Sequence, residues 1–441
     1  MQWRAELLAA VPILIVAGMR ADPPQPPSGS DPMAELVFTR GFESTPVRPP
    51  VSAIGPTRGA APIPTAAPNP AAAYRQPRAN SEQNSRLPVP LAPAAWAARW
   101  TRPTNPEFPP WAVMQEKDRI LVQATEWRLF EPDGKPVATD RAGSCPILLD
   151  APGGLFYRTL ADGYLAGATL DAGRRQFIIL PSGGDTYQRV FLAKAGTRLV
   201  VVGRERALDP HGQRKPSKSV VEAIDLGERV TADDLGLLTS GRSLGNLLVP
   251  DPGVVAAMHG GVIVFAYPDR VILADLDLKV IRALGGSFVP WQLSLDETGR
   301  IYMVVTANRR QALWLLTPEG ERIYALELPN EVSAVVMPPI IGYDHRAYLV
   351  TKEHVVAVTE AGEVHWARRA RKQFAGATIT GNDRLLAADG NTVVAFTTDG
   401  QREVQFTADE ELLTPPILST NGNLLVASAG KLYCLSPRPG K

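Results

Sequence analysis

From about residue 95 onward the chain repeats short apolar–polar alternations bounded by turn residues. The end of the chain is the clearest stretch. Thr414–Thr420 (TPPILST), Asn423–Ser428 (NLLVAS) and Lys431–Ser436 (KLYCLS) each read as a strand with one buried side. Asn421-Gly422 and Ala429-Gly430 separate them as tight-turn signals.

The same order recurs upstream. A small or acidic turn precedes the second strand of a unit eight times, at Lys117-Asp118, Gly153-Gly154, Gly196-Thr197, Gly260-Gly261, Thr298-Gly299, Asp344-His345, Asn382-Asp383 and Asn421-Gly422. An aliphatic run such as Arg119–Gln123 (RILVQ) or Ile301–Val305 (IYMVV) follows. The turn after the third strand is placed at Glu131–Gly134, Pro181–Gly183, Asp225–Gly227, Asp275–Asp277, Thr317–Gly320, Thr359–Gly362, Thr397–Gly400 and Ser436–Pro439. Gly320, Gly362, Gly400 and Gly440 lie 42, 38 and 40 residues apart.

Four-stranded units of roughly 40 residues are the signature of propeller blades. A single blade cannot bury both of its faces, so blades stack radially. The expected fold is therefore all-β: an eight-bladed β-propeller of four-stranded antiparallel blades over residues 94–441. The eighth unit ends with three strands. Ala94–Thr101 (AAWAARWT) echoes Val364–Arg369 (VHWARR) and can supply the fourth, hiding an open edge. The alternative leaves Trp96 and Trp100 in a linker.

The start of the chain reads differently. Leu7–Met19 (LLAAVPILIVAGM) is thirteen residues long and follows Arg4. That is too short to span a bilayer, which takes roughly 20 residues, and it fits an export signal of about 7–15. Residues 1–21 are read as a signal peptide or a short membrane anchor. Residues 22–93 are rich in Pro, Ala, Ser and Arg, as in Ala60–Pro70 (AAPIPTAAPNP). This composition buries too little apolar surface to offset chain entropy, so a disordered linker that protease clips early is expected. Ala34–Phe42 (AELVFTRGF) is apolar enough to dock, or is a less polar stretch of linker.

Overall charge changes the picture little. Lys and Arg number 46 against 45 Asp and Glu, which argues against nucleic acid as a partner of the whole chain. Two cysteines, Cys145 and Cys434, are too few for a disulfide framework and read as buried apolar side chains.

The strands after Pro338-Pro339 and Pro415-Pro416, the third strand KLYCLS, turns ending in Gly and the following Glu363–Trp366 (EVHW) resemble PQQ-like repeats. That family includes quinoprotein dehydrogenases and the outer-membrane assembly lipoprotein propellers. The resemblance covers about residues 95–441, is sharpest in the last three units, and implies a bacterial, extracytoplasmic protein. Its enzymes hold a quinone over calcium with acidic and amide ligands, use a catalytic Asp, and often carry two adjacent cysteines. Here the cysteines stand 289 positions apart, and no G-x-S-x-G, H-E-x-x-H or phosphate-cradling loop appears.

No catalytic residue, cofactor or metal is expected, and turn chemistry accounts for Asp133, Glu319 and Asp399. The five histidines, His211, His259, His345, His354 and His365, show no metal-ligand spacing with cysteine or clustered carboxylates. Three functions stay open: a protein-interaction scaffold in the cell envelope, a quinone- or calcium-binding enzyme using the central channel, and a carbohydrate or cell-wall binder.

Basic residues supply the candidate site. In a four-stranded meander, loops joining strand two to three and blade to blade share one face. Arg174, Arg175, Arg270, Arg309, Arg310 and Lys352 are assigned there, with Arg368, Arg369, Arg371 and Lys372 at the end of a fourth strand. The insertion Arg204–Lys218 (RERALDPHGQRKPSK) adds Arg204, Arg206, Arg214, Lys215 and Lys218. Asp133, Asp150, Asp185, Asp277, Asp296, Glu319, Asp344, Asp383 and Asp399 are assigned to the opposite face. The expected partner is a protein, acidic where it docks, met by a monomeric propeller with a membrane tether available through residues 7–19. The other reading of these residues is a solvated surface of loop charges.

Overall fold

A computed structural model describes residues 89–92, 96–116, 119–124, 126–141, 147–150, 155–159, 165–169, 176–179, 187–205, 218–226, 242–249, 254–329, 332, 335–419 and 421–438. All belong to one compact unit, Leu36–Lys441. Among them there are 32 strands and no helix.

The strands form eight four-stranded antiparallel sheets. Blade 1 comprises β2 (Ala112–Glu116), β3 (Arg119–Gln123), β4 (Glu126–Phe130) and β5 (Pro136–Arg141). Blade 2 comprises β6 (Leu148–Asp150), β7 (Leu155–Thr159), β8 (Leu165–Thr169) and β9 (Gln176–Ile179). Blade 3 comprises β10 (Tyr187–Ala195), β11 (Arg198–Glu205), β12 (Ser219–Asp225) and β13 (Arg242–Val249). Blade 4 comprises β14 (Val255–His259), β15 (Val262–Tyr267), β16 (Arg270–Asp275) and β17 (Val280–Gly285). Blade 5 comprises β18 (Val289–Leu295), β19 (Ile301–Ala307), β20 (Arg310–Leu316) and β21 (Arg322–Glu327). Blade 6 comprises β22 (Ile340–Ile341), β23 (Ala347–Val350), β24 (His354–Val358) and β25 (Val364–Arg369). Blade 7 comprises β26 (Phe374–Ile379), β27 (Leu385–Asp389), β28 (Thr392–Phe396) and β29 (Arg402–Thr407). Blade 8 comprises β30 (Ile417–Leu418), β31 (Leu424–Ala427), β32 (Lys431–Pro437) and, from the front of the chain, β1 (Trp96–Pro103).

The core lies between blades and closes the ring. Apolar clusters join blade 2 to 3, 3 to 4, 4 to 5, 5 to 6 and 6 to 7. A further cluster runs from Leu386 and Val393 of blade 7 through blade 8 and blade 1 to Phe156 of blade 2. First strands of neighbouring blades lie against one another, β14 on β18 and β22 on β26, which puts them at the centre.

Blade 8 is completed by β1, which pairs antiparallel with β32 from Trp96 opposite Pro437 to Pro103 opposite Lys431. The expected strand exchange is thus present. Packed structure also begins earlier than the 22–93 linker allowed. Leu91 is buried and its amide donates to Asn382 Oδ1 at 2.9 Å, while Gly381 N donates to Val89 O at 2.9 Å.

One device explains why the turn glycines recur. Trp366 on β25 donates its Nε1 to Thr398 O at 2.8 Å, and Arg368 donates its Nε to Gly400 O at 2.8 Å. Trp100 and Arg102 on β1 repeat this with Pro132 O at 3.0 Å and Gly134 O at 2.7 Å. Each pair fastens the outer strand of one blade to the last turn of the next. A Cβ on Gly400 or Gly134 would sit 2.7 or 2.9 Å from the tryptophan ring, and both residues have positive φ, 75° and 83°. Only glycine meets both demands.

Blade 2 departs from the expected register. The third strand is Leu165–Thr169, so Pro181–Gly183 falls after the fourth strand instead of after the third. The turn at Gly153-Gly154 was legible, but a weakly apolar third strand (LAGAT) hid the next one.

Candidate functional site

Two faces follow from the strand order. One carries the loops from second to third strands and the blade-to-blade connectors; the interval between β11 and β12 lies on it, so it is called the insertion face. The other carries the first and last hairpins of each blade.

On the insertion face the chain turns from β19 to β20 through Asn308 and Arg309, whose φ values of 51° and 64° make a tight two-residue turn. This turn thrusts Arg309 into solvent. Arg310 is also exposed, but its Nη1 pairs with Glu327 Oε2 at 2.8 Å. Arg369 closes β25 opposite His354 and is exposed. Burial holds the His354 imidazole below its ordinary pKa; Glu353 opposes this and the Arg369 charge adds to it.

Arg371 and Lys372 sit in the connector from blade 6 to blade 7. Their backbone amides donate to Asp389 Oδ2 and Oδ1 at 2.9 and 3.0 Å. Asp389 is fully buried and pairs with Arg402 at 2.6 Å. The lysine stem passes over Gly390, where a Cβ would lie 2.7 Å from Lys372 Cδ. The connector is thus fixed by its backbone while both cationic heads stay in water.

Among the described residues, Arg309, Lys352, Arg369, Arg371 and Lys372 are exposed and belong to no ion pair. The face is not uniformly basic. Asp409 and Glu410 lie on it and are engaged by Lys431. The Lys431 and Tyr433 hydrogen bonds hold the Asp409 carboxyl down to about 2. Glu353 and Glu411 add further negative charge. The cations of blades 5 to 7 therefore share this face with acidic side chains, and the expected sorting of charge between faces is not clean.

Apolar side chains share this face, a signal the loop-charge reading missed. Trp111 (41% exposed) precedes β2, and Val289 (41%) and Trp291 (53%) begin β18. These are the inner strands of blades 1 and 5, on opposite sides of an eight-membered ring. Trp291 Nε1 donates to Thr306 Oγ1 at 2.7 Å, which holds its ring upright on the sheet edge. Val336 in the connector to blade 6 and Leu248 at the end of β13 are also exposed.

Several candidates change place. Arg368 is committed to the contact with Gly400 and lies over Trp366, with its guanidinium carbon 5.8 Å from the ring centre. It belongs to the seam between blades 6 and 7 and does not stand free on the insertion face. Arg174 and Arg175 lie outside the described residues, in the interval between β8 and β9. Asp185 also lies outside the described residues. Arg204 is the penultimate residue of β11, while Arg206, Arg214 and Lys215 lie outside the described residues in the interval between β11 and β12. Cys434 is buried in β32 and free; Cys145 lies outside the described residues.

The opposite face carries its carboxylates largely as turn caps. Asp296 accepts from Thr298 N and Arg300 N, both at 2.9 Å, and from Thr298 Oγ1 at 2.7 Å. Asp133 and Asp344 cap their turns through Lys135 N and Arg346 N. Arg300 bridges Asp296 at 2.6 Å and Glu360 at 2.5 Å.

No protein-family profile matches the chain, and no curated protein matches it in sequence. Solved structures match it as a fold. BamB from Moraxella catarrhalis aligns over 77% of this chain and 99% of its own, at 11% identity and a TM-score of 0.54. Virginiamycin B lyase from Staphylococcus aureus aligns over 77% and 99%, at 12% identity and a TM-score of 0.41. BBS1N, solved in complex with ARL6DN, aligns over 79% and 98%, at 11% identity and a TM-score of 0.43. At such identities the BamB likeness establishes the propeller fold and nothing finer.

Proposed function

We propose that this chain is an exported propeller that works as a protein-interaction scaffold in the cell envelope, docking an acidic partner on the insertion face. The observation that carries the reading is the arc over blades 5 to 7. There, exposed cations without ion-pair partners adjoin exposed Val289, Trp291 and Val336. Aromatic and arginine side chains are the groups that most often dominate protein interfaces. Loops on a rigid ring give such a surface without disturbing the core.

The route of the chain supports the same face. Val89–Ala92 lie against the first hairpin of blade 7, on the face opposite the insertion. The first described residues thus leave the insertion face uncovered. Periplasm or cell surface is the compartment this reading implies. The resemblance of the last units to PQQ-like repeats, a family with non-enzymatic envelope propellers, points the same way.

The test immobilises the full chain and captures partners from the native envelope at low and high salt. Arg309, Arg369, Arg371 and Lys372 are replaced together by Ser, with Arg368 kept for the seam. Capture by the parent should fall as salt rises, and the variant should lose on the order of tenfold or more. Salt-insensitive capture, or an unchanged variant, removes this face from consideration.

A further inference from the structure

We infer that Asp296, Glu297 and His345 form a binding site for one divalent transition-metal ion, bridging the first hairpins of blades 5 and 6 on the face opposite the insertion. The site stands apart from the proposed docking surface and does not depend on it. One ligand atom from each of the three residues lies within 4.8 Å of the other two. His345 Nδ1 stands 3.5 Å from Glu297 Oε1, buried and without a hydrogen bond. The two hairpins come from different blades, which is why no spacing in the chain betrays the group.

A second observation points to a missing ligand. Tyr302 is wholly buried, and its hydroxyl has no hydrogen-bond partner. It stands on β19 opposite Ser294 of β18, two residues before Asp296 in the same hairpin. A buried donor without an acceptor is costly, and a ligated carboxylate or an ion-bound water would supply one.

Charge and donor type narrow the ligand. Asp296, Glu297 and Glu360 bring three negative charges, and Arg300 neutralises one of them while bridging Asp296 and Glu360. Two negative charges remain beside the imidazole, which suits a dication. A nitrogen with carboxylate oxygens favours zinc or another first-row metal over calcium or magnesium, which prefer all-oxygen shells.

His345 is also an unexpected residue for its backbone. Its φ is 61°, and its amide closes the turn onto Gly342 O. The residues making the same bond in blades 5, 7 and 8 are Gly299, Asp383 and Gly422. Histidine carries strain there that glycine would relieve, so a side-chain role is the reason to hold it.

That strain makes a decisive variant. Zn2+ is titrated calorimetrically into the full parent chain, His345→Gly and Glu297→Gln, with Ca2+ and Mg2+ in parallel. The parent should bind one Zn2+ per chain and melt several degrees higher with it. His345→Gly should melt at or above the metal-free parent yet bind Zn2+ at least tenfold more weakly, and Glu297→Gln should weaken binding comparably. Absence of Zn2+ binding, Zn2+ binding unchanged in His345→Gly, or equal affinity for Ca2+ would each overturn the assignment.

Discussion

A buried carboxylate at residue 389 shows how one side chain places others. Asp389 takes two backbone amides of the connector that presents Arg371 and Lys372, and it pairs with Arg402 inside the blade. Removing it strands a buried guanidinium and frees the connector. Asp389→Ala should lower stability by about 3–5 kcal/mol. Arg371→Ser and Lys372→Ser should stay within about 0.5 kcal/mol, because both heads are already in water. Urea unfolding of the three variants measures this, and equal losses would mean the connector is held by something else.

Cys434 belongs to the same scale. Burial pushes its thiol up to about 12, with Arg99 opposing weakly. The folded chain therefore keeps a neutral thiol where the unfolded chain ionises near pH 9. Its contribution to stability is complete below that value and fades as pH rises toward 12. Alkylation at pH 8, mapped by peptide mass, should leave Cys434 unmodified until urea unfolds the propeller.

At the scale of the element, the repeating unit is a contact between blades as much as a set of strands. Trp366 with Arg368, and Trp100 with Arg102, each reach carbonyls 32 residues further on. Gly400→Ala combines a left-handed backbone with a Cβ inside the ring's contact distance and should cost about 2–5 kcal/mol. Gly422 has a similar φ of 74° but nothing within 4 Å of a Cβ, so Gly422→Ala should cost only about 1–2 kcal/mol. If the two variants unfold at the same denaturant concentration, the seam contributes nothing beyond backbone strain.

At the scale of the whole molecule, stability depends on the front of the chain meeting its end. Without β1, the β32 edge is left unpaired and the Trp100–Arg102 seam to blade 1 is lost. A chain of residues 89–441 should melt as cooperatively as the full protein. A chain of residues 104–441 should aggregate or melt far lower. Melting by circular dichroism and size-exclusion chromatography separates the outcomes, and two equally stable chains would show that ring closure does not need β1.

Strand content, the number of blades and the lending of β1 to blade 8 were determined by the sequence alone. Turn residues and period-2 alternation act between near neighbours, and closing a ring of like units leaves one register for the spare strand. The Trp-x-Arg seams are half legible: Ala94–Thr101 echoes Val364–Arg369, yet it is Trp100, and not Trp96, that stands where Trp366 does. Blade 2 is the least legible because LAGAT lacks the bulky β-branched residues that announce a strand. Tertiary structure alone decided which charges are free. Arg368 and Arg371 lie three residues apart in the chain, but one is held by a carbonyl of the next blade and the other points into water. The pairing of His345 with Asp296 and Glu297 likewise exists only because two hairpins, some fifty residues apart in the chain, are brought side by side by the packing of blade 5 on blade 6.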